Sequence, residues 1–273
     1  MNTAKKNKAF NSDQGKSEIS FVKDAFHDGS FEIFQVSGAG HKGGMDALLL
    51  AAALPEEISG IVADLGAGTG AAGIAALNLN DKLDLLAVEK NGDLVEAFNK
   101  SLQLPGNARF SKRAKGCHAD VTLSGIERLK AGLGPECVNH VIMNPPYNFE
   151  SERPPQDALR AEAYMLGEGG IDAWFRTAAA ITRPGGKLCM IYRTQNLGDI
   201  LACTRGRYGG LEILPVHSRK DEAAKRVIVR GTRGSRAPMT IVPGFVVHEE
   251  DGSFTEQAKA IFDGRARLQF GDS

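Results

Sequence analysis

The sequence has little that would hold a metal or a covalent framework. Its 273 residues include only four cysteines, Cys117, Cys137, Cys189 and Cys203, with no CxxC pair among them. That scatter excludes a zinc-ribbon spacing and a disulfide scaffold, and the cysteines read as reduced, mostly packed thiols. Long apolar runs are missing too: the longest, Ala47 to Leu54, is far short of the roughly 18 residues that would cross a bilayer. Lys5, Lys6, Lys8 and Lys16 near the N-terminus are followed by no apolar stretch of the secretory kind, so a cytoplasmic location is expected. Net charge is absent as well, with 33 basic side chains against 33 acidic ones. What remains is an ordinary globular composition, 42% hydrophobic and 24% charged, which argues against disorder and fibres.

The neutrality conceals one local excess. Between Arg205 and Arg236 nine basic residues face only Glu212, Asp221 and Glu222. Such a cluster is either a footprint for phosphate backbones or a solvated edge that keeps a sheet from aggregating.

Residues 1–18 are polar and Lys-rich and read as a mobile tail. The alternation in FEIFQV, Phe31–Val36, predicts a half-buried strand. HKGGMDALLLAAAL, from His41 to Leu54, reads as a glycine turn entering a helix with Asp46 in its opening turn. After Pro55 the pattern becomes strand, helix, strand. Strands are expected at 61–65, 83–89, 138–143 and 187–192, and helices at 71–78, 92–102 and 171–182. That alternation predicts a parallel, doubly wound α/β sheet. The β-rich stretches 211–216 and 225–229 predict an antiparallel edge pair. No linker interrupts residues 19–273, so one domain is expected there.

The first motif with chemical content is DLGAGTG, Asp64 to Gly70, between a strand and a helix. Glycines at that place let backbone N–H groups approach a ligand at a helix N-terminus. Gly66, Gly68 and Ala71 satisfy the dinucleotide pattern GxGxxG/A, so a dinucleotide, S-adenosylmethionine and a plain packing turn all compete. Asp64 and the third glycine, Gly70, favour S-adenosylmethionine, because an ammonium needs a nearby carboxylate that a pyrophosphate would avoid. Glu89 closes the next strand, where a carboxylate can accept both ribose hydroxyls of an adenosine. Asp120 is a candidate for the adenine amino group.

The second motif is Asn144, Pro145, Pro146 and Tyr147, directly after the apolar strand VNHVIM. Ligands of open α/β sheets bind outside the carboxyl ends of the strands, so strand ends at Asp64, Glu89 and Asn144 share one crevice. Two prolines stiffen the turn and remove two donors, leaving the Asn144 side-chain oxygen and the Pro145 carbonyl as acceptors for a planar NH2 group. Such acceptors favour a pyramidal nitrogen able to attack a methyl sulfonium in line. Tyr147 offers a flat face for stacking a base. The plainer reading is a strand-terminating turn with an Asn cap. No metal is needed for this chemistry. His41 and His217 are left out, since methyl transfer to an amine needs no strong base.

DLGAGTG, Glu89 and NPPY together resemble class I S-adenosylmethionine-dependent amino methyltransferases. DAFHDGSFEIFQ, HKGGMDALLLAAAL, LPVHSRKDEAAKRVIVRGTRGSRAP and VVHEEDGSFTEQAKAI narrow the resemblance to the bacterial family that methylates the N6 amine of adenine 37 in valine tRNA. The similarity runs from about Asp24 to Gly264. It implies a Rossmann-like, seven-stranded, mostly parallel sheet with an antiparallel C-terminal edge. It also implies that Asn144, Pro145, Pro146 and Tyr147 hold the target adenine. Asp64, Gly66 and Gly68 would then hold the methionine end of the cofactor and Glu89 its ribose. RNA would meet Lys225, Arg226, Arg230, Arg233 and Arg236. Rival readings are a glutamine methyltransferase acting on protein, another amino methyltransferase acting on DNA or ribosomal RNA, and a non-enzymatic RNA-binding module that holds the cofactor.

Overall fold

The computed structural model describes residues 10–11, 20–37, 42–146 and 169–271. At the N-terminus β1 (Phe10–Asn11), β2 (Ser20–Phe26) and β3 (Phe31–Val36) form a small antiparallel sheet of their own. Phe10 and Asn11, in the polar segment read as a tail, pair with Phe21 and Ser20. Asp28 and Gly29, with φ of 52° and 78°, make the tight β2–β3 turn, a conformation in which glycine and aspartate are favoured.

The free edge of β3 is closed by side chains rather than by another strand. Phe34 N–H donates to Ser101 Oγ at 2.9 Å, Glu32 N–H donates to Asn107 Oδ1 at 3.2 Å, and Asn107 Nδ2 donates to the Glu32 carbonyl. Ser101 and Asn107 are fully buried, so this edge is sealed against α3 and its following turn.

The main body follows in alternating order. It comprises α1 (Lys42–Ala52), β4 (Gly60–Leu65), α2 (Ala71–Leu79), β5 (Leu83–Glu89), α3 (Gly92–Leu102), β6 (Ala114–His118), α4 (Gly125–Lys130) and β7 (His140–Met143). Then come α5 (Gly170–Ile181), β8 (Lys187–Arg193), α6 (Leu197–Thr204), β9 (Tyr208–His217), β10 (Arg226–Arg233), β11 (Thr240–Ile241), β12 (Phe245–Val246) and α7 (Glu256–Phe262). The sheet runs β11-β9-β10-β8-β7-β4-β5-β6, with β12 also on β9. The expected seven strands are all there: β8, β7, β4, β5 and β6 are mutually parallel, and β10 is antiparallel to both β8 and β9. Two further two-residue strands, β11 and β12, pair with the outer side of β9.

Burial explains the apolar runs. All four residues of β7 and the central five of β8 are buried, because layers pack on both sheet faces. One layer is built on α1, α2 and α7, the other on α5 and α6. Each buried Val, Leu or Ile in these layers contributes about 1.5–3 kcal/mol. Small residues bring α2 close to the sheet: a Cβ on Gly73 would meet the Leu85 side chain at 2.6 Å. Val138, read as the start of β7, makes only an isolated bridge to Thr182. Among the described residues no helix is long and apolar enough to cross a membrane.

Candidate active site where the sheet reverses direction

After β4 the chain builds outward through β5 and β6, then returns to place β7 on the opposite side of β4. This is the switch point at which open α/β sheets bind ligands. Asp64 pairs in register with Ile142, and Leu65 with Met143, so the glycine turn after β4 and the Asn144 turn after β7 leave the sheet side by side. A cavity of about 180 Å³ lies there, with Asp64, Gly66 and Asn144 in its wall. Residues from both sequence motifs therefore share one chamber.

The three glycines of the turn have different reasons to be glycine. A Cβ on Gly66 would stand 2.5 Å from the Trp174 ring, and one on Gly70 would collide with Phe98. Both are packing requirements, added to positive φ of 71° and 91° that favour glycine. Trp174, 5% exposed, is part of the core, and its ring also supports the underside of the turn. Gly68 shares the positive φ, 56°, but a Cβ there would meet nothing within 4 Å, so open space adjoins its backbone.

Asp64 is 2% exposed. Its Oδ2 accepts from Gly73 N–H in the first turn of α2 at 3.0 Å. Burial pushes its carboxyl up to about 7; the Gly73 hydrogen bond opposes this, and the charge of Glu89 adds to it. Among the described residues no cationic side chain contributes. A buried carboxylate in the wall of a cavity, with no positive partner among the described residues, fits an ammonium group, and so fits the amino-acid end of S-adenosylmethionine.

Glu89, at the end of β5, ties the local backbone together. Its Oε2 accepts from Gly68 N–H and its Oε1 from Asn91 N–H, both at 2.9 Å. Each oxygen keeps a further lone pair, so the carboxylate can still accept from ribose hydroxyls. Asp120, beyond β6, uses Oδ1 in a local turn with the Thr122 N–H and hydroxyl at 2.7 and 2.8 Å. Gly68, Gly70, Glu89 and Asp120 do not line the cavity, unlike Asp64 and Gly66.

On the other wall, Pro145 is buried and Pro146 half-buried. The Tyr192 hydroxyl, on β8, donates to the Pro146 carbonyl at 3.0 Å and pins the turn to the sheet. Tyr147 lies outside the described residues. Other cavity residues are positions to which the sequence assigned no cofactor role: Gln35 on β3, Gly44 and Ala47 on α1, and Ala67 and Thr69 within DLGAGTG. Gln35 Oε1 accepts from the Thr69 hydroxyl at 3.1 Å. Only the docking of the N-terminal sheet brings Gln35 here, and residue spacing carries no trace of that docking.

The basic cluster does not form one face. Arg226 is held by Asp46 on α1 at 3.1 Å. Arg230 grips Glu212 through Nε and Nη2 at 3.0 and 2.7 Å, and stacks on Phe270 with its guanidinium carbon 3.7 Å from the ring centroid. Arg233 donates to the Ala179 and Arg207 carbonyls. These three expected RNA contacts are thus engaged in internal pairing. Lys225, which pairs with Glu222 at 3.7 Å while keeping 73% side-chain exposure, and Arg236 face solvent. Arg226 pairs with Arg193 at the cavity end of β8, whereas Arg233 bonds to Gly185 and Gly186 before that strand begins. At about 3.3 Å per residue the two lie roughly 23 Å apart along β10, so Arg236 sits at the end remote from the cavity. Lys225 instead shares the cavity-side edge of the sheet with Arg219 and Lys220 of the β9–β10 connection.

Comparison with known proteins gives this geometry a context. Residues 41–201, more than half of the chain, match the family described as methyltransferase small domain. A tRNA1(Val) (adenine(37)-N6)-methyltransferase of Shewanella sediminis is 23% identical over 244 residues, covering 86% of this chain and 97% of that one. The crystal structure of a predicted O-methyltransferase from Agrobacterium tumefaciens is 38% identical, with a TM-score of 0.71 over 82% of this chain and 98% of that chain. A putative class I S-adenosylmethionine-dependent methyltransferase from Listeria monocytogenes has the same fold, with a TM-score of 0.50 at 16% identity over 85% of this chain and 73% of that chain.

Proposed function

Because the chain belongs to the methyltransferase small domain family, we propose that it methylates the exocyclic amine of an adenine in RNA, with adenine 37 of valine tRNA as the favoured target. The cofactor is S-adenosylmethionine. One observation carries the reading: Asn144 lines the same cavity as the buried, cation-seeking Asp64. A nucleotide amine would therefore sit beside the donor end of the chamber. The similarity to the Shewanella sediminis enzyme supports tRNA as the polymer.

S-adenosylmethionine, when bound, supplies a methyl group on an electron-poor sulfur. Everything else falls to the chain. Asp64 holds the ammonium, and Glu89 keeps Gly68 in place while accepting from the ribose. Asn144 accepts a hydrogen bond from the target amine, the Pro145 carbonyl accepts a second, and the Tyr192 contact to Pro146 keeps that turn from yielding. Both acceptors orient the nitrogen lone pair, and the surplus proton of the amine leaves to water. Preorganised polar groups of this kind are worth about 10²–10³ in turnover when one is removed. Arg219, Lys220 and Lys225 place positive charge where a phosphate backbone would cross the catalytic edge.

The test is incubation of the purified protein with labelled S-adenosylmethionine and separate fractions of unmodified tRNA, DNA and protein, followed by digestion of the labelled product. Label as N6-methyladenosine from tRNA is expected. Label on a protein amide, or on a hydroxyl as the name of the Agrobacterium tumefaciens relative suggests, would overturn the assignment. Asn144→Ala should lower turnover by about 10²–10³ while leaving cofactor affinity within about threefold. An equal loss of both would remove Asn144 from its role.

A further inference from the structure

The free end of an α-amino acid presents two charges, and a site that receives it needs an acceptor for the ammonium and a donor for the carboxylate. Asp64 answers the first need. For the second, the side-chain N–H and O–H groups in the cavity wall belong to Gln35, Thr69 and Asn144. Asn144 lies after β7 and serves the target side. The Thr69 hydroxyl hydrogen is directed to Gln35 Oε1 at 3.1 Å, which turns that amide so that its oxygen faces the glycine turn. This leaves Gln35 Nε2, a two-hydrogen donor with no partner among the described residues. Gln35 is also held firmly: β3 pairs with β2 on one side, and Ser101 and Asn107 close its other edge.

The geometry points to Gln35 as the residue that receives the carboxylate of the cofactor's amino-acid end, which makes the N-terminal sheet a working part of the cofactor site. This rests on the reading of the cavity as the S-adenosylmethionine site. Asp64 and Gln35 then form a matched pair, a carboxylate for the ammonium and an amide for the carboxylate, contributed by two different sheets. The small sheet would bear on cofactor affinity, and RNA binding would be unaffected by Gln35.

Titration calorimetry of the full chain with S-adenosylmethionine and with decarboxylated S-adenosylmethionine, which keeps the ammonium but lacks the carboxylate, separates the possibilities. Wild-type protein should prefer the intact cofactor by about tenfold, the size of one hydrogen bond to a charged group. Gln35→Ala should lose about tenfold for the intact cofactor and under about twofold for the decarboxylated one. Gln35→Glu, placing carboxylate against carboxylate, should lose more for the intact cofactor alone. Thermal unfolding of each variant checks folding; should Gln35→Ala fail to fold, the wild-type preference and Gln35→Glu decide. Equal losses for both ligands, unchanged affinity in the variants, or equal wild-type affinity for the two ligands would overturn the role of Gln35. A wild-type protein that binds neither ligand would overturn the cavity assignment itself.

Discussion

Asp64 and Arg230 are both charged side chains sheltered from solvent within the same sheet, yet their surroundings are opposite. Arg230 has side-chain exposure of 15% and is fully answered: Glu212 stands directly across on β9, Phe270 lies under the guanidinium, and the Ala53 carbonyl accepts from Nη1 at 3.3 Å. Among the described residues Asp64 has one backbone N–H, a cavity wall, and no cation. A buried charge with a complete set of partners is architecture. One with no counter-charge among its described neighbours, beside open space, suits the positive group of a ligand. The distinction lies in partners and not in residue type.

The most forceful way to break the comparison is to remove Arg230. Arg230→Ala leaves Glu212 uncompensated and should cost about 3–5 kcal/mol of stability in chemical denaturation, whereas replacing the pair together by Arg230→Met and Glu212→Leu should recover most of that. If Arg230→Ala unfolds like wild type, the pair is not structural and its place in RNA binding reopens.

The corresponding change at the other site should act on ligand rather than fold. Asp64→Asn should weaken S-adenosylmethionine about ten- to hundredfold above neutral pH, as expected for loss of a charge-assisted contact. The sign of the pH dependence follows from a carboxyl raised from 3.8 to about 7. Between those values the folded protein keeps a proton that the unfolded chain has released, so this site's contribution to stability falls as pH rises to about 7 and is flat above. Cofactor affinity runs the other way, tightening as the carboxylate forms. Calorimetry between about pH 6 and about pH 8 should show that trend in wild type and a flat line in Asp64→Asn. A pH-independent wild type would refute the ammonium contact.

The smallest effect sharpens the contrast along β10. Lys225→Glu, at the catalytic edge, should weaken RNA and lower the slope of log affinity against log salt by about one, while Arg236→Glu at the far end should change little. Equal effects would mean that RNA wraps the sheet end to end.

Much of this was legible in advance. The bounds of β3, β5 and α3 coincide with those expected from pattern alone, because each is specified by local periodicity and, for α3, by the Asn91 cap on the N–H groups of Asp93 and Leu94. The hairpin of β9 and β10 was visible but short, since its outer residues owe their strand geometry to neighbours already in place. The separate N-terminal sheet, β11 and β12 were not anticipated. Two-residue strands carry no period, and β2 (SFVKDAF) breaks the apolar–polar alternation, with Phe21 and Val22 adjacent and Lys23 and Asp24 adjacent.

Residue order by itself determined which chemical groups stand at the strand ends: a carboxylate and a glycine turn after β4, a carboxylate after β5, an amide and two prolines after β7. Those follow from short-range rules of chain stiffness, turn formation and apolar alternation. Only the tertiary structure decided which of these groups are free to act. Arg230 finds Glu212 because two strands pair in one register, Gly66 and Gly70 are glycine because rings from distant helices press on them, and Gln35 reaches the cavity because a separate sheet docks there. Pairing, crowding and docking depend on atoms far apart along the chain, and their energies exist only once the backbone has brought those atoms together.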